Sequence, residues 1–354
     1  MTPSPGPHGL RDRITRTLRR RLLPPRRVGV CLLYHRITTT RPDPWSLAVS
    51  PHHFAEHLDV LRRLGHPLRL GALLEAVRAG RVPRGAVAVS FDDGYADNLH
   101  AALPLLERYD VPATMFLTAG ALGAEREFWW DELERVLLQP GRLPEALEVR
   151  VASGFHRTSL SGSTDYTDGH AAMHQHWRAG DAPPTRRHRA YVDLWGVLRT
   201  LDESDRRDAL AALGQVRGID HRARPTHRTL SSQEAAVIAR HPLVDIGGHT
   251  ITHPVLAGLP ANAQRQEIMG GNRMIEAIVG RPVTTFAYPF GKESDYTPET
   301  VRLVRETGSQ CGCTNVSGVT TPATDPYRLP RMYVHDWDGD TFGRRLADRL
   351  RSTR

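Results

Sequence analysis

Val89-Ser90-Phe91-Asp92-Asp93-Gly94-Tyr95 decides how this chain is read. The continuous apolar run Ala86–Phe91 has the length and composition of a strand buried on both faces, and it ends on two adjacent carboxylates and a glycine. Working outward, Val28–Tyr34, Ala113–Leu117, Leu243–Ile246, Thr284–Ala287 and Tyr327–Val334 are further strand candidates. Helical periodicity lies between them at Pro51–Leu64 (opened by Ser50 as N-cap), Gly71–Ala79, Ala96–Tyr109, Phe128–Leu138, Ser232–Arg240, Ala263–Val279, Pro298–Thr307 and Thr341–Arg351. Such alternation predicts an α/β fold whose parallel sheet is covered by helices, either open or closed into a barrel. Catalytic groups in such folds sit at the C-terminal ends of strands, where Asp92, Asp93, His249 and Tyr288 all fall.

Two adjacent Asp can cap a following helix, since Asp suits an N-cap and Gly94 a turn, but capping accounts for one carboxylate better than for two. Like charges this close repel and raise one pKa unless a cation lies nearby. A metal bound by Asp93 removes the conflict and keeps Asp92 ionised as a base. His249-Thr250-Ile251-Thr252-His253 supplies further ligands, because this spacing puts two imidazoles on one face of a helical turn. Gly247-Gly248 before it and Pro254 after it predict a compact turn rather than a long helix. One Asp, two His, an open position for water and a spare carboxylate match the needs of a hydrolytic metal site. Zn²⁺ suits that ligand set best, with Co²⁺, Ni²⁺ or Fe²⁺ able to occupy it. The spacing alone is a weak signal. His170-Ala171-Ala172-Met173-His174, with His176 beyond it, repeats it in a segment without strand flanks, and there it reads as surface histidines.

The 354 residues, 40% hydrophobic, suffice for one large domain with an insertion or for two domains. The formal charge of +8 is localised, since residues 1–27 carry eight Arg and one Asp, +7 of the total. That basic arm reads as a solvated, flexible N-terminus, with peripheral contact to an anionic membrane open to it. Nucleic-acid binding is not expected, because the rest of the chain is near neutral. No apolar run approaches the ~20 residues of a membrane span. Val28–Tyr34 is too short for a secretory signal and lacks a cleavage site. Cys31, Cys311 and Cys313 form no disulfide framework, and the last two read as strand residues on one face. The expected compartment is the cytoplasm, with the arm in reach of the inner membrane face. Residues 139–228 break the strand–helix rhythm with turn-like Ser161–Gly169, Pro183-Pro184 and two helical stretches, Ala190–Thr200 and Ser204–Leu213. The expected organisation is therefore the arm at 1–27, a catalytic domain at 28–337 interrupted by the 139–228 insertion, and a closing helix within 338–354.

Ser90-Phe91-Asp92-Asp93-Gly94-Tyr95, His249–His253 and Phe286-Ala287-Tyr288-Pro289-Phe290-Gly291 together resemble the first three motifs of the polysaccharide deacetylases, the NodB-homology or carbohydrate esterase family 4. The resemblance covers roughly residues 28–137 and 229–337. It implies a distorted (β/α) barrel with a partly helical insertion, and metal-dependent removal of N- or O-acetyl groups from sugars. It also implies metal ligation by Asp93, His249 and His253, Asp92 as general base, and the Phe290 backbone N–H in an oxyanion hole. Leu32-Leu33-Tyr34-His35-Arg36 resembles the N-terminal Tyr-His motif of the branch acting on biofilm poly-N-acetylglucosamine, which implies His35 as general acid. His335, in Tyr333-Val334-His335-Asp336-Trp337, is the reserve and matches the late Leu-x-His motif of other members poorly. Where many members carry an Arg paired with the base, this chain has Ala287. Arg331 is the replacement candidate, beside the plain reading of a surface arginine near a strand end.

Trp45, Tyr95, Trp129, Trp130, Tyr288 and Trp337 offer rings that suit the C–H face of a pyranose. Tyr95, Trp130 and Tyr288 are the substrate-binding candidates, and at least one indole of Phe128-Trp129-Trp130-Asp131 is expected in the core. Lys292, the only lysine, receives no role. The function expected is metal-dependent N-deacetylation of an N-acetylated carbohydrate: a glycan, a lipid-linked sugar, or a nucleotide- or metabolite-linked sugar. The alternatives are a deformylase or other amidase on the same scaffold, and a non-catalytic carbohydrate-binding protein. The complete Asp-Asp-His-His set argues against the last.

Overall fold

The apolar runs lie side by side in one parallel sheet. The computed structural model describes residues 28–151 and 154–352, so the basic arm expected over residues 1–27 lies outside the described residues. The strands are Val30–Tyr34 (β1), Ala86–Phe91 (β2), Ala113–Leu117 (β3), Val244–Gly248 (β4), Thr285–Ala287 (β5), Cys311–Cys313 (β6) and Met332–Tyr333 (β7). They are ordered β6-β5-β4-β3-β2-β1-β7, and every pairing along that path is parallel. Parallel strands covered on both faces have no polar side to show water, which is why β1, β2 and β3 are buried throughout.

The covering helices are Pro51–Leu64 (α1), Leu70–Arg78 (α2), Leu103–Tyr109 (α3), Trp129–Leu137 (α4), Arg186–Leu198 (α5), Glu203–Arg217 (α6), Ser232–Ala239 (α7), Gly271–Val279 (α8), Pro298–Glu306 (α9) and Gly339–Arg351 (α10). In α1 the Ser50 hydroxyl accepts from the His53 N–H at 3.2 Å, Pro51 opens the first turn, and Phe54, Leu58 and Leu61 face the core. None of the described helices is long and apolar enough to cross a membrane.

The single strand expected over Tyr327–Val334 is instead a 3₁₀ turn at Pro326–Arg328 followed by the two-residue β7. Pro330, inside that span, has no N–H for a ladder, and Pro326 just before it opens the 3₁₀ turn, so a long strand does not form. The broken segment closes the barrel. Leu329 donates its N–H to Gly312 and accepts from the Thr314 N–H, both at 2.8 Å, while Met332 pairs with Leu32 of β1. One short segment thus touches both edges of the curled sheet, giving the distorted (β/α) barrel, and Arg331 sits in the seam. Two of the expected helices also begin differently. A π-helical turn at Asn98–Ala102 precedes α3, and another at Gln266–Gly270 precedes α8.

The insertion is more ordered than its sequence suggested. It holds a hairpin of Ala146–Val151 with Gly154–Ser159, the short helix Asp168–His174, and α5 and α6. Leu194, Leu210 and Leu213 pack with Leu133 and Leu137 of α4, so the insertion is anchored to the barrel through that helix.

Candidate active site

Asp92 and Asp93 leave β2 at its C-terminal end, and Asp93 is held at a φ of 75°, a conformation non-glycine residues seldom adopt. That kink sends the two carboxylates different ways. Asp93 turns toward the segment after β4, where His249 and His253 lie. Its Oδ1 stands 3.5 Å from His249 Nε2 and 3.4 Å from His253 Nε2, and it is buried without a hydrogen-bond partner. Among the described residues, Asp93, His249 and His253 are the one group of three side chains placed to share a metal ion, with ligand atoms within 4.8 Å of one another.

The tautomers suit ligation. His249 donates Nδ1–H to the Ala287 carbonyl at 2.7 Å, which leaves Nε2 as the atom that faces Asp93. Burial pushes His253 down to about 3 and keeps that imidazole neutral, whereas at His249 the Asp92 and Asp93 carboxylates outweigh burial and raise the pKa. Burial also pushes the Asp93 carboxyl up, but His249, His253 and His35 beside it outweigh this and hold it at about 2. An ionised carboxylate and two imidazole nitrogens around an unsatisfied buried oxygen fit a divalent cation, which would take the place of a proton on His249 Nε2.

The turn holding His253 is clamped from outside the motif. Glu267 accepts from the Ile251 N–H at 2.8 Å and from the Thr252 N–H and hydroxyl at 2.9 Å. It reaches them from the π-helical turn before α8. Gly271, at the start of α8, lets that helix approach closely, because a Cβ there would meet the Thr250 backbone at 2.8 Å. Glu267 was not singled out in the sequence, where an isolated Glu in a helix carries no signal.

Asp92 turns the other way. Arg331 donates Nη1–H to Oδ1 and Nη2–H to Oδ2, both at 2.7 Å, with all four groups buried. Burial would raise the Asp92 carboxyl, but the Arg331 and His249 charges win and lower it. Arg331 also donates to the Thr314 carbonyl at 2.9 Å and to Asn315 Oδ1 at 2.6 Å. Asn315 in turn donates to the Phe290 carbonyl at 2.7 Å, tying the arginine to the loop after β5. Asn315 was also missed, although it is the second residue after β6 as Asp93 is the second after β2, and was open to the same reasoning. Phe290 itself adopts a φ of 59°, and its ring packs 4.7 Å from His253.

The structure separates the two histidines considered as proton donors. His35 is 8% exposed, its Nδ1 has no partner, and it lies near enough to Asp92, Asp93 and Arg331 for all three to act on its charge. Burial lowers its pKa, against the pull of the two carboxylates. His335 lies beyond Tyr333, whose ring is 5.4 Å from His35 and 4.8 Å from His335.

Of the aromatic candidates, Tyr95 and Tyr288 do not line a sugar site, and those two expectations are corrected. Both are 0% exposed. The Tyr95 hydroxyl donates to Asp131 at 2.7 Å and accepts from the Trp130 indole at 2.8 Å, while Arg36 covers its ring. Tyr288 donates to the Tyr327 carbonyl at 2.9 Å and stacks on Tyr296. Trp130 stands 5.0 Å from His253, stacked on Phe128. The insertion supplies what sequence reasoning did not see. Trp195 packs 4.2 Å from Trp45 and 6.0 Å from Phe290, and Arg199 lies 4.4 Å over the Phe290 ring while pairing with Asp295 at 2.6 Å. The histidines of the insertion, His170 and His174, pack on Tyr166 instead of converging on a site.

A family model described as "Polysaccharide deacetylase" matches residues 79–156 and 194–312, more than half of the chain. The Bacillus subtilis (strain 168) protein described as "Putative polysaccharide deacetylase YxkH" is 29% identical over 115 residues, 32% of this chain. The match spans 40% of that relative's length. Among solved structures, the Streptococcus pyogenes deacetylase PplD in complex with acetate is 16% identical with a TM-score of 0.52, over 92% of this chain and 99% of that one. IcaB from Ammonifex degensii is 19% identical with a TM-score of 0.55, over 91% of this chain and 97% of that one. At these identities the two structures share the fold.

Proposed function

Because this chain belongs to the polysaccharide deacetylase family, we propose that it hydrolyses the N-acetyl group of an acetamido sugar, releasing acetate and a free amine. The observation that carries the reading is the convergence of Asp93, His249 and His253 on one point, with Asp92 beside them and locked to Arg331. A divalent metal held by Asp93, His249 and His253, zinc by the nature of the ligands, would polarise the amide carbonyl and acidify water at its open position.

The chain's own groups do the rest. Asp92 takes the proton from the attacking water, and Arg331 keeps its carboxylate ionised and aimed. The Phe290 N–H, presented by the unusual backbone at that residue, donates to the oxygen that gains charge as the carbonyl becomes tetrahedral. Asn315, bonded to both Arg331 and the Phe290 carbonyl, fixes base and oxyanion donor relative to each other. His35 gives a proton to the departing amine, and its lowered pKa makes it a ready donor once charged. Trp130, Phe290 and Trp195 wall the site and exclude water.

The test is a release screen on N-acetylated and N-formylated amino sugars, with acetate and formate measured separately. Acetate released by metal-loaded protein and lost with chelator supports the reading. Formate alone, or no carboxylic acid from any substrate, contradicts it.

A further inference from the structure

Two cavities flank the catalytic centre, and their chemistry differs. One, of about 480 Å³, lies between α4 and α6, and its charges are already matched: Arg126 pairs with Glu132, and Arg207 with Glu203. The other, of about 690 Å³, is lined by Arg178, His335, Trp337, Arg345, Asp348 and Arg349. Both volumes suit a small ligand.

The second cavity gathers positive charge from three separate parts of the chain. Arg178 comes from the insertion, Arg345 and Arg349 from successive turns of α10, and His335 and Trp337 from the segment after β7. Its single carboxylate, Asp348, is paired with Arg351. None of the three lining arginines is in an ion pair among the described residues. Arg345 lies 4.4 Å over the Trp337 ring, and Arg349 donates to the Ser317 hydroxyl at 2.7 Å. The Nδ1 of His335 is buried and also lacks a partner. Like charges held around one cavity repel, and an anion with several acceptor oxygens relieves the repulsion while accepting charge-assisted hydrogen bonds. The cavity adjoins the reaction centre, since Tyr333 lines it and stands 5.4 Å from His35.

We propose that this cavity binds a phosphate or pyrophosphate group carried by the substrate, so that the acetamido sugar reaches Asp92 and His35 as a phosphorylated glycoside. Trp337 and Tyr333 supply ring faces beside the arginines for whatever the phosphate is attached to. This rests on the deacetylase reading of the neighbouring site, and its test has one arm that needs no catalysis.

In that arm, inorganic pyrophosphate is titrated onto the full chain by calorimetry. Saturable binding is expected, weakened about tenfold by Arg345→Gln and by Arg349→Gln, with Arg345→Lys close to wild type. Binding that is absent, or unchanged in both Gln variants, overturns the proposal. The catalytic arm compares kcat/KM for an N-acetylhexosamine, its 1-phosphate, a nucleotide diphosphate sugar and a short lipid pyrophosphate sugar. The wild type should prefer the phosphorylated forms about tenfold or more, and Arg345→Gln should erase most of that preference. The better of the last two identifies the source of the phosphate. Equal turnover of neutral and phosphorylated sugars, unaltered by Arg345→Gln, removes the subsite and leaves the deacetylase standing. Pyrophosphate binding that depends on Arg345 and Arg349, without acetate from any sugar, sustains the anion site and removes the deacetylase.

Discussion

Arg331 meets Asp92 edge to edge, two N–H groups on two carboxylate oxygens at 2.7 Å, from residues 239 positions apart in the chain. The barrel seam makes this contact: of the two residues between the pairings of Leu329 with β6 and Met332 with β1, Pro330 stays partly exposed and Arg331 turns inward. Removing one member of a buried pair strands the other, at a cost of about 3–5 kcal/mol. Arg331→Met and Asp92→Asn should each lower stability by that order in denaturant unfolding, and cut acetate release about 10²–10⁴-fold. Arg331→Lys, without the planar fork, should fall between them and wild type.

His35 and His335 both pack on Tyr333, at 5.4 and 4.8 Å, and their replacement should separate in kinetics. His35→Ala should lower kcat about 10²–10⁴-fold with little change in KM. His335→Ala should act on KM for phosphorylated substrates instead. A fall in kcat confined to His335→Ala would exchange the two roles.

Glu267 touches no proposed metal ligand, yet three of its hydrogen bonds hold the turn leading into His253. Glu267→Ala should weaken metal affinity about 10–100-fold, measured by competition with a chromophoric chelator. Affinity equal to wild type would show that the turn holds its shape unaided.

Asp131 is buried in α4 and accepts the Tyr95 hydroxyl; burial, only partly offset by Arg36, raises its pKa to about 8. An unfolded chain releases the same proton near pH 4, as an approximate peptide value. Between those pH values the folded protein holds more proton than the unfolded, so this group makes stability fall as pH rises from about 4 to about 8, and leaves it level above. Asp131→Asn keeps an acceptor for Tyr95 and removes that slope. The Tm of the variant minus that of wild type should therefore grow from pH 5 to pH 9, and a constant or shrinking difference would contradict the assignment.

The strand ending Ser90-Phe91-Asp92-Asp93 and the turn His249–His253 were legible because both signals are local: apolar continuity, then polar residues at fixed spacing. Arg331 was reachable only by asking what replaces the cation missing at Ala287. Tyr95 and Tyr288 misled because an aromatic ring next to a motif looks the same in sequence whether its hydroxyl meets a sugar or Asp131 and Tyr327. The strand expected over Tyr327–Val334 is broken because Pro330, within it, has no N–H for a ladder, a local signal that the apolar content of the segment hides. Glu267, Asn315 and Trp195 act across long sequence separations, and no local pattern announces them. The first strand of the insertion hairpin does alternate, Leu147-Glu148-Val149-Arg150-Val151 with Leu147 and Val149 buried, but its partner Gly154–Ser159 carries one apolar side chain, so the pair gave no matching signal.

Bound metal and released acetate, measured on the same preparations of wild type and Asp93→Ala, test the account most directly. Wild type should hold one divalent ion per chain and release acetate from an N-acetylated sugar in proportion to metal content. The variant should lose both together while keeping its fold by circular dichroism. Undiminished acetate release from metal-free Asp93→Ala would contradict the account.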